Sequence, residues 1–572
     1  MAVINLEKYV HVLGVSTVRG LLAYLGVAWL GAFVLFTVVE YPLIALGIVD
    51  AGTVPALLIL NAVAAAGGAV ALIAVPAAIK RENIEKNFPV FMAYLGSVTT
   101  ARPNYDEFFR AMAETEEYGE ISKEMKRLYH LARDWKLGYA KACRVVADTT
   151  PSPLFSNFLA RLSQVVEYGE NLDSFFRNQF RDIMRDMQTQ YQQAAYKITT
   201  VAELFSALFV SSAFLLAFAV LMPIFFPISP DLIALGTLVL LLIVDAILIA
   251  LARASVPADE FVLPFYRGAP EHLTAVIATW VGILASLLAV LITWALGAPP
   301  ILQVLASAVP LIVPAYLSSR AEGIIRKREH TYVPFIRTLG DLTSIREGAV
   351  TPVLRRLRRH IYPGMNEAID RLYKRLAITR QMFRSFALFS KELGSALISK
   401  FNELFVKALY SGADPKKTGD IIGDEMHAIL DSRKLRLQIA SGAKGVIYGT
   451  YAGVALGVFL ATKAVAQVFN LFSSILSTVN ADVMGYFAIF NFNVDISPLV
   501  DYMIYVFAVE AAVLAIVLKI LDGGLMSGST KHYVLMVLAL TVVYYITDWA
   551  VSMLFPLAGE TASAAVPGIG KP

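Results

Sequence analysis

The sequence predicts an all-α, polytopic helical membrane protein with about nine transmembrane helices and two duplicated cytoplasmic helical-bundle domains. Three observations predict it. Of the 572 residues, 57% are hydrophobic and only 16% charged, and the mean hydropathy of +0.62 is too high for a chain of this length that folds in water. The apolar residues gather into runs of about 20, the length that crosses roughly 30 Å of hydrocarbon. Two long polar segments, Lys80–Lys197 and Arg320–Lys444, interrupt those runs and repeat one another.

In chain order, Met1–Gly20 mixes apolar residues with Glu7, Lys8, His11 and Arg19 and reads as a helix lying on the membrane surface. The first apolar run is full length and has no cleavage pattern, so it reads as a retained span. Leu21–Tyr41 and Val54–Ile79 are the first two spans. Thr199–Phe226 and Leu232–Leu251 form a hairpin turned by Pro227, Ser229 and Pro230, and Leu273–Leu296 with Ile301–Leu317 forms another. Val446–Leu471, Tyr502–Leu521 and Val534–Phe555 complete the set. The organisation is therefore residues 1–79 (surface helix and two spans), 80–198 (first cytoplasmic domain), 199–318 (four spans), 319–444 (second cytoplasmic domain) and 445–572 (three spans and an outer tail).

Charge sets the orientation, because lysine and arginine concentrate in cytoplasmic loops. Under strict alternation of the spans, 46 of the 49 Lys and Arg residues fall on one face; Lys463 and Lys519 lie in spans, and Lys571 alone is left for the other face. This places the N-terminus and both polar segments in the cytoplasm and the C-terminus outside.

The polar segments share anchors. Phe88-Pro89-Val90-Phe91 is followed by Phe158 and Gly169, and Val333-Pro334-Phe335-Ile336 by Phe401 and Gly412, with 11 residues from Phe to Gly in both. Between those anchors Leu162, Val165 and Val166 match Phe405, Ala408 and Leu409, one apolar face at helical spacing in each copy. Asn104 and Glu107 form a capping box for a helix over Tyr105–Tyr118, Pro151 and Pro153 break the chain before Leu154–Tyr168, and Gly169 is a C-cap. The helices from Asp173 and from Lys416 run on into the membrane without a breaker, coupling the bundles mechanically to the bilayer.

Duplicated helical cytoplasmic domains, a Pro-apolar start, the Phe-to-Gly helix and turn, and paired flanking spans resemble the type II secretion F-domain family, and the span number is closest to its archaeal pilus and archaellum platforms. The resemblance runs from about Ile79 to Leu471. It implies a protein without chemistry of its own, which binds a cytoplasmic hexameric secretion ATPase and couples it to insertion of pilin or archaellin subunits into a filament. By analogy the protein assembles in pairs. The sequence is consistent with this, holding no phosphate-binding loop, no metalloprotease helix and no serine elbow; no cofactor, catalytic residue or metal site is expected. The other function class weighed is a secondary transporter with tandem repeats and ionisable groups near the midplane.

The two polar segments differ in charge. The first carries 17 Lys and Arg against 16 Asp and Glu, the second 24 against 13. The densest basic run, Arg355, Arg356, Arg358 and Arg359 followed by Arg371, Lys374 and Arg375, is read as one helical side that docks an acidic rim of the ATPase or contacts anionic lipid headgroups. Nucleic acid is not expected, since few aromatics interleave with the arginines. Asp420, Asp424, His427 and Asp431 form a helical stripe, read as a salt-bridged face or a metal site. Glu114, Glu116, Glu117 and Glu120 read as a surface turn, and the single cysteine, Cys143, as a small core residue. In the membrane, Lys463 and Glu510 come to similar depths and are expected to pair, while Glu203, Asp245 and Asp548 have no assigned partner.

Overall fold

A computed structural model describes residues 79–225, 241, 244–253, 261–262, 270–476 and 497–554. The expected surface helix, the first two spans, the turn at Pro227–Pro230 and the outer tail lie outside them. The described residues are helical apart from turns and one isolated bridge, Val262 to Ser395.

The helices, in order, are α1 (79–99), α2 (Tyr105–Ala113), α3 (Glu120–Arg133), α4 (Tyr139–Thr149), α5 (Pro153–Tyr168), α6 (Leu172–Phe225), α7 (244–253), α8 (Pro270–Ala295) and α9 (Pro300–Ala308). There follow α10 (Ile312–Ile345), α11 (Val350–Leu357), α12 (Asn366–Thr379), α13 (Met382–Leu393), α14 (Ala396–Tyr410), α15 (Pro415–Leu476), α16 (Ser497–Asp522) and α17 (Ser529–Leu554). The order from α1 to α6 recurs from α10 to α15: a helix carrying the Pro-apolar motif, four shorter helices, then one of 54 or 62 residues.

Local chemistry explains the boundaries. Asn104 Oδ1 accepts from the Glu107 amide at 2.8 Å while Glu107 accepts from the Asn104 amide at 3.2 Å, so the capping box opens α2. Ser152 caps α5 with Pro153 in its first turn. Gly169 and Gly412 end α5 and α14 in the left-handed region, at φ +68° and +79°, where a side chain would be strained.

Residues group into two compact units. The first comprises, of the described residues, 79–185, 336–349 and 404–425. Its core is aromatic: Phe88 meets Phe155 and Phe158 edge-on at centroid distances of 5.9 and 5.5 Å, and Phe109 stacks on Tyr139 at 4.5 Å. Each such pair contributes about 0.5–1.5 kcal/mol beyond its burial. Cys143 sits in this core, and burial pushes its thiol up to about 12. The end of α10 crosses the start of α15 at backbone contact. A Cβ on Gly340 would lie 2.5 Å from the Pro415 carbonyl oxygen, and one on Gly419 would lie 3.0 Å from that of Ile336. Beside it the Asp414 amide donates to Thr100 Oγ1 at 2.9 Å, and Lys407 pairs with Glu117, so the acidic turn is tied to α14.

The second unit holds the described parts of 186–335, 350–403 and 426–572. Among the described residues, five helical stretches are long and apolar enough to cross a membrane: Glu271–Ala295, Pro300–Ile345, Pro415–Val468, Val500–Asp522 and Met526–Leu554. They overlap the last five expected spans. Helix α8 leaves Trp280, Leu284, Leu291 and Trp294 about three-fifths exposed, an apolar surface suited to lipid rather than water. The inner faces pack Phe209, Tyr451, Phe459, Phe507 and Leu540 together.

Several polar groups of this unit bond from helix to helix, because hydrocarbon offers no partners. Ser307 of α9 hydrogen-bonds Tyr533 of α17 at 2.7 Å, and Tyr505 of α16 donates to Gln303 of α9 at 2.8 Å. The expected Lys463–Glu510 pair is replaced by two others. Lys463 Nζ lies 3.2 Å from Asp548 and 3.1 Å from the Tyr544 carbonyl, over the Tyr544 ring, while the Glu510 carboxyl hydrogen-bonds that of Asp245. Similar depth did not decide the pairing; the helix faces did.

Candidate functional site

The basic run is built on α11 and α12. Val350, Val353, Leu354 and Leu357 bury one face of α11, which leaves Arg355 and Arg356 exposed. The helix ends at Leu357. Arg358 and Arg359 therefore lie in the following turn rather than on a continued helix, their amides donating to the carbonyls of Leu354 and Arg356 at 3.0 Å. In α12, burial of Ala368, Ile369, Leu372 and Leu376 turns Arg371 and Lys374 outward.

Much of the run is engaged within the bundle. Arg355 Nε donates to Tyr373 Oη at 3.0 Å, and the Arg358 guanidinium lies 4.7 Å from the Tyr373 ring centroid and 3.3 Å from Asp370. Lys374 reaches Asp370 at 2.6 Å; Arg371 and Arg375 share Glu392. The hydrogen bond from Lys374, with Arg358 beside it, holds the Asp370 carboxyl below its ordinary value. Tyr373, Asp370 and Glu392 were not singled out in the sequence. The Asp370-to-Lys374 spacing was the one available signal, an i,i+4 pair on a helix. Seven cations still outnumber the three carboxylates that meet them, Glu367, Asp370 and Glu392, and exposed pairs are worth only about 0–1 kcal/mol each. Arg356 and Arg359 are exposed, and among the described residues no ion pair is recorded for either.

The acidic stripe on α15 faces other partners. Asp424 pairs with Arg337, and His427 Nε2 lies 3.6 Å from Asp431. Burial, then the neighbouring carboxylates Asp341 and Asp424, raise Asp420, with Arg337 and Lys416 opposing. Among the described residues no group of three or more His, Cys, Asp and Glu is placed to hold a metal ion. On the same helix Glu425 is fully buried, with neither carboxylate oxygen hydrogen-bonded, and burial pushes it up to about 8.

Apolar helices, a twofold six-helix pattern and an exposed basic run together describe a duplicated helical membrane protein. Residues 91–220 match the family profile described as "Type II secretion system (T2SS), protein F". The chain is similar to this family over that segment, about a quarter of its length. It is 28% identical over 489 residues to "Flagella accessory protein J" of Methanocaldococcus jannaschii, covering 83% of this chain and 86% of that one. It is 24% identical over 496 residues to the protein of the same name from Methanococcus voltae, covering 83% and 87%. No solved structure matches significantly.

Proposed function

We propose that this protein is the membrane platform of an archaellum or archaeal type IV pilus-like filament machine, which binds a cytoplasmic secretion ATPase and couples it to insertion of pilin or archaellin subunits. The observation that carries this reading is the alignment of 83% of the chain with proteins named for flagella, together with the family match at residues 91–220. Nine spans, with the N-terminus and both helical bundles cytoplasmic and the C-terminus outside, complete the reading.

The ATPase docks on α11 and the turn after it, where Arg356 and Arg359 are exposed and form no ion pair among the described residues. Opposite charge there would speed and orient association, an effect screened beyond about 8 Å at physiological salt. The test is capture of the secretion ATPase by the full-length protein in detergent, at low and high salt, with Arg356→Glu/Arg359→Glu alongside. Salt-sensitive capture that the variant abolishes supports the dock. Capture of equal strength by the variant removes it, and solute transport by the protein alone in vesicles would move the chain to the transporter class.

A further inference from the structure

We propose that Asp245 of α7 and Glu510 of α16 form a proton-binding site inside the membrane-spanning part of the second unit, the two carboxyl groups holding one proton between them. The two side chains hydrogen-bond each other. An ionised carboxylate can only accept, so a bond between two carboxyl groups requires that one of them be in its acid form and donate to the other.

The pair is deep and its surroundings are apolar. Asp245 is 4% exposed and Glu510 3%. Leu241 and Leu248 flank the first in sequence, Phe507 and Leu514 the second, and all four are buried in one apolar core. Glu510 stands 13 residues after Ser497 and 12 before Asp522, the two ends of α16. At 1.5 Å per residue these are about 20 and 18 Å, which puts the carboxyl near the middle of a span of roughly 30 Å. Asp245 Oδ2 is buried without a hydrogen-bond partner, so the pair keeps an unused acceptor in a place that no solvent serves.

No cation neutralises the two carboxyls. Lys463 and Lys519, the lysines within the apolar helices, are engaged by Asp548 and Glu322. Arg253 of α7 is exposed and eight residues, about 12 Å, from Asp245, and Glu203 of α6 is exposed as well. The apolar sequence outside the described residues offers no cation either: residues 21–78, 226–240, 242–243 and 477–496 contain no Lys, Arg or His. From α15, Tyr451 faces Glu510, but its hydroxyl donates to the Phe507 carbonyl at 2.9 Å. On α17, Tyr533 is bonded to Ser307 and His532 to Tyr448. Two adjacent carboxylates in hydrocarbon with no cation would repel one another, whereas one shared proton removes a charge and supplies the bond. A sodium ion between the carboxyls would replace their direct hydrogen bond rather than accompany it, which favours the proton.

The experiment uses the full-length protein in lipid nanodiscs, with Glu425→Gln in every sample so that this other buried acid adds no signal. Infrared spectroscopy reads the C=O stretch of a protonated carboxyl, identified by its shift in D2O, and melting curves check folding. Asp245→Asn/Glu510→Gln is compared with the parent and with Glu203→Gln, which alters an exposed carboxyl. A band in the parent at neutral pH, lost in the pair variant and kept in Glu203→Gln, supports the site. Where the double variant folds poorly, either single amide variant serves: the band is lost or moves, because its hydrogen-bond partner has changed. A parent with no such band, or a band that every pair variant leaves unchanged, overturns the proposal. A band that sodium chloride abolishes and choline chloride does not, with a rise in melting temperature, makes the pair a sodium site and overturns the proton assignment.

Discussion

Replacing Gly340 with alanine tests the backbone crossing of α10 and α15. The added methyl would meet the Pro415 carbonyl oxygen at 2.5 Å and the Gly419 Cα at 3.1 Å, and both are main-chain atoms that cannot rotate away. Ordinary contacts of this kind lie near 3.5 Å, so the helices must part by about 1 Å. Overpacking costs about 1–3 kcal/mol, against which alanine recovers about 1 kcal/mol of helix preference, leaving a net loss of up to about 2 kcal/mol. Gly323, in the same helix, has nothing within 4 Å of its added methyl, so alanine there keeps only the gain. Between these lie Gly419, whose methyl would meet backbone at 3.0 Å, and Gly423, whose methyl would meet only the movable Arg337 side chain. Melting of the four purified variants should rank Gly323→Ala highest, then Gly423→Ala, Gly419→Ala and Gly340→Ala. A Gly340→Ala protein that melts with or above Gly323→Ala refutes the close crossing.

Glu425 should make stability fall as pH rises. Its folded value of about 8 exceeds the ordinary carboxylate value, so the folded state holds the proton longer; the cost is absent below about pH 4.5, grows through the interval and is complete above about pH 8. Glu425→Gln should therefore raise the melting temperature at pH 8 far more than at pH 5, and an equal effect at both would contradict the burial. A double-mutant cycle of Lys463→Met with Asp548→Asn should show coupling of about 1 kcal/mol, and the cycle with Glu510→Gln close to none; the reverse ranking would restore the Lys463–Glu510 pair. Cys143 should resist maleimide in the folded protein and label on denaturation, so rapid labelling of native protein would show that its helix packs elsewhere.

Much of the architecture was legible because it rests on local rules. Apolar length marks spans, Asn104 with Glu107 marks a helix start, and Gly169 and Gly412 mark helix ends wherever they occur. The 11-residue spacing from Phe158 and Phe401 exposed the duplication for the same reason. Contacts distant in sequence left no such trace. Gly340 and Gly419 read as ordinary helical glycines until α10 and α15 are brought together. Depth alone ranked Glu510 and Asp548 poorly as partners of Lys463, because depth says nothing of which face of a helix a side chain leaves from. The basic run was visible as charge, but the end of α11 at Leu357 and the Tyr373 platform, which separate engaged arginines from exposed ones, depend on packing.

Helix α15 carries a further consequence. Within the second unit it runs from Met426 to Leu476 with no proline, so no ring interrupts its hydrogen-bond ladder over about 77 Å. Helix α10, by contrast, carries Pro334, which removes a rung from its ladder. A beam with no joint does not absorb a push by bending at one point; it tilts or turns along its whole length. A tilt of only about 5° sweeps the ends of that stretch about 7 Å relative to one another. A small angular change is thus amplified with distance from the point about which the helix turns.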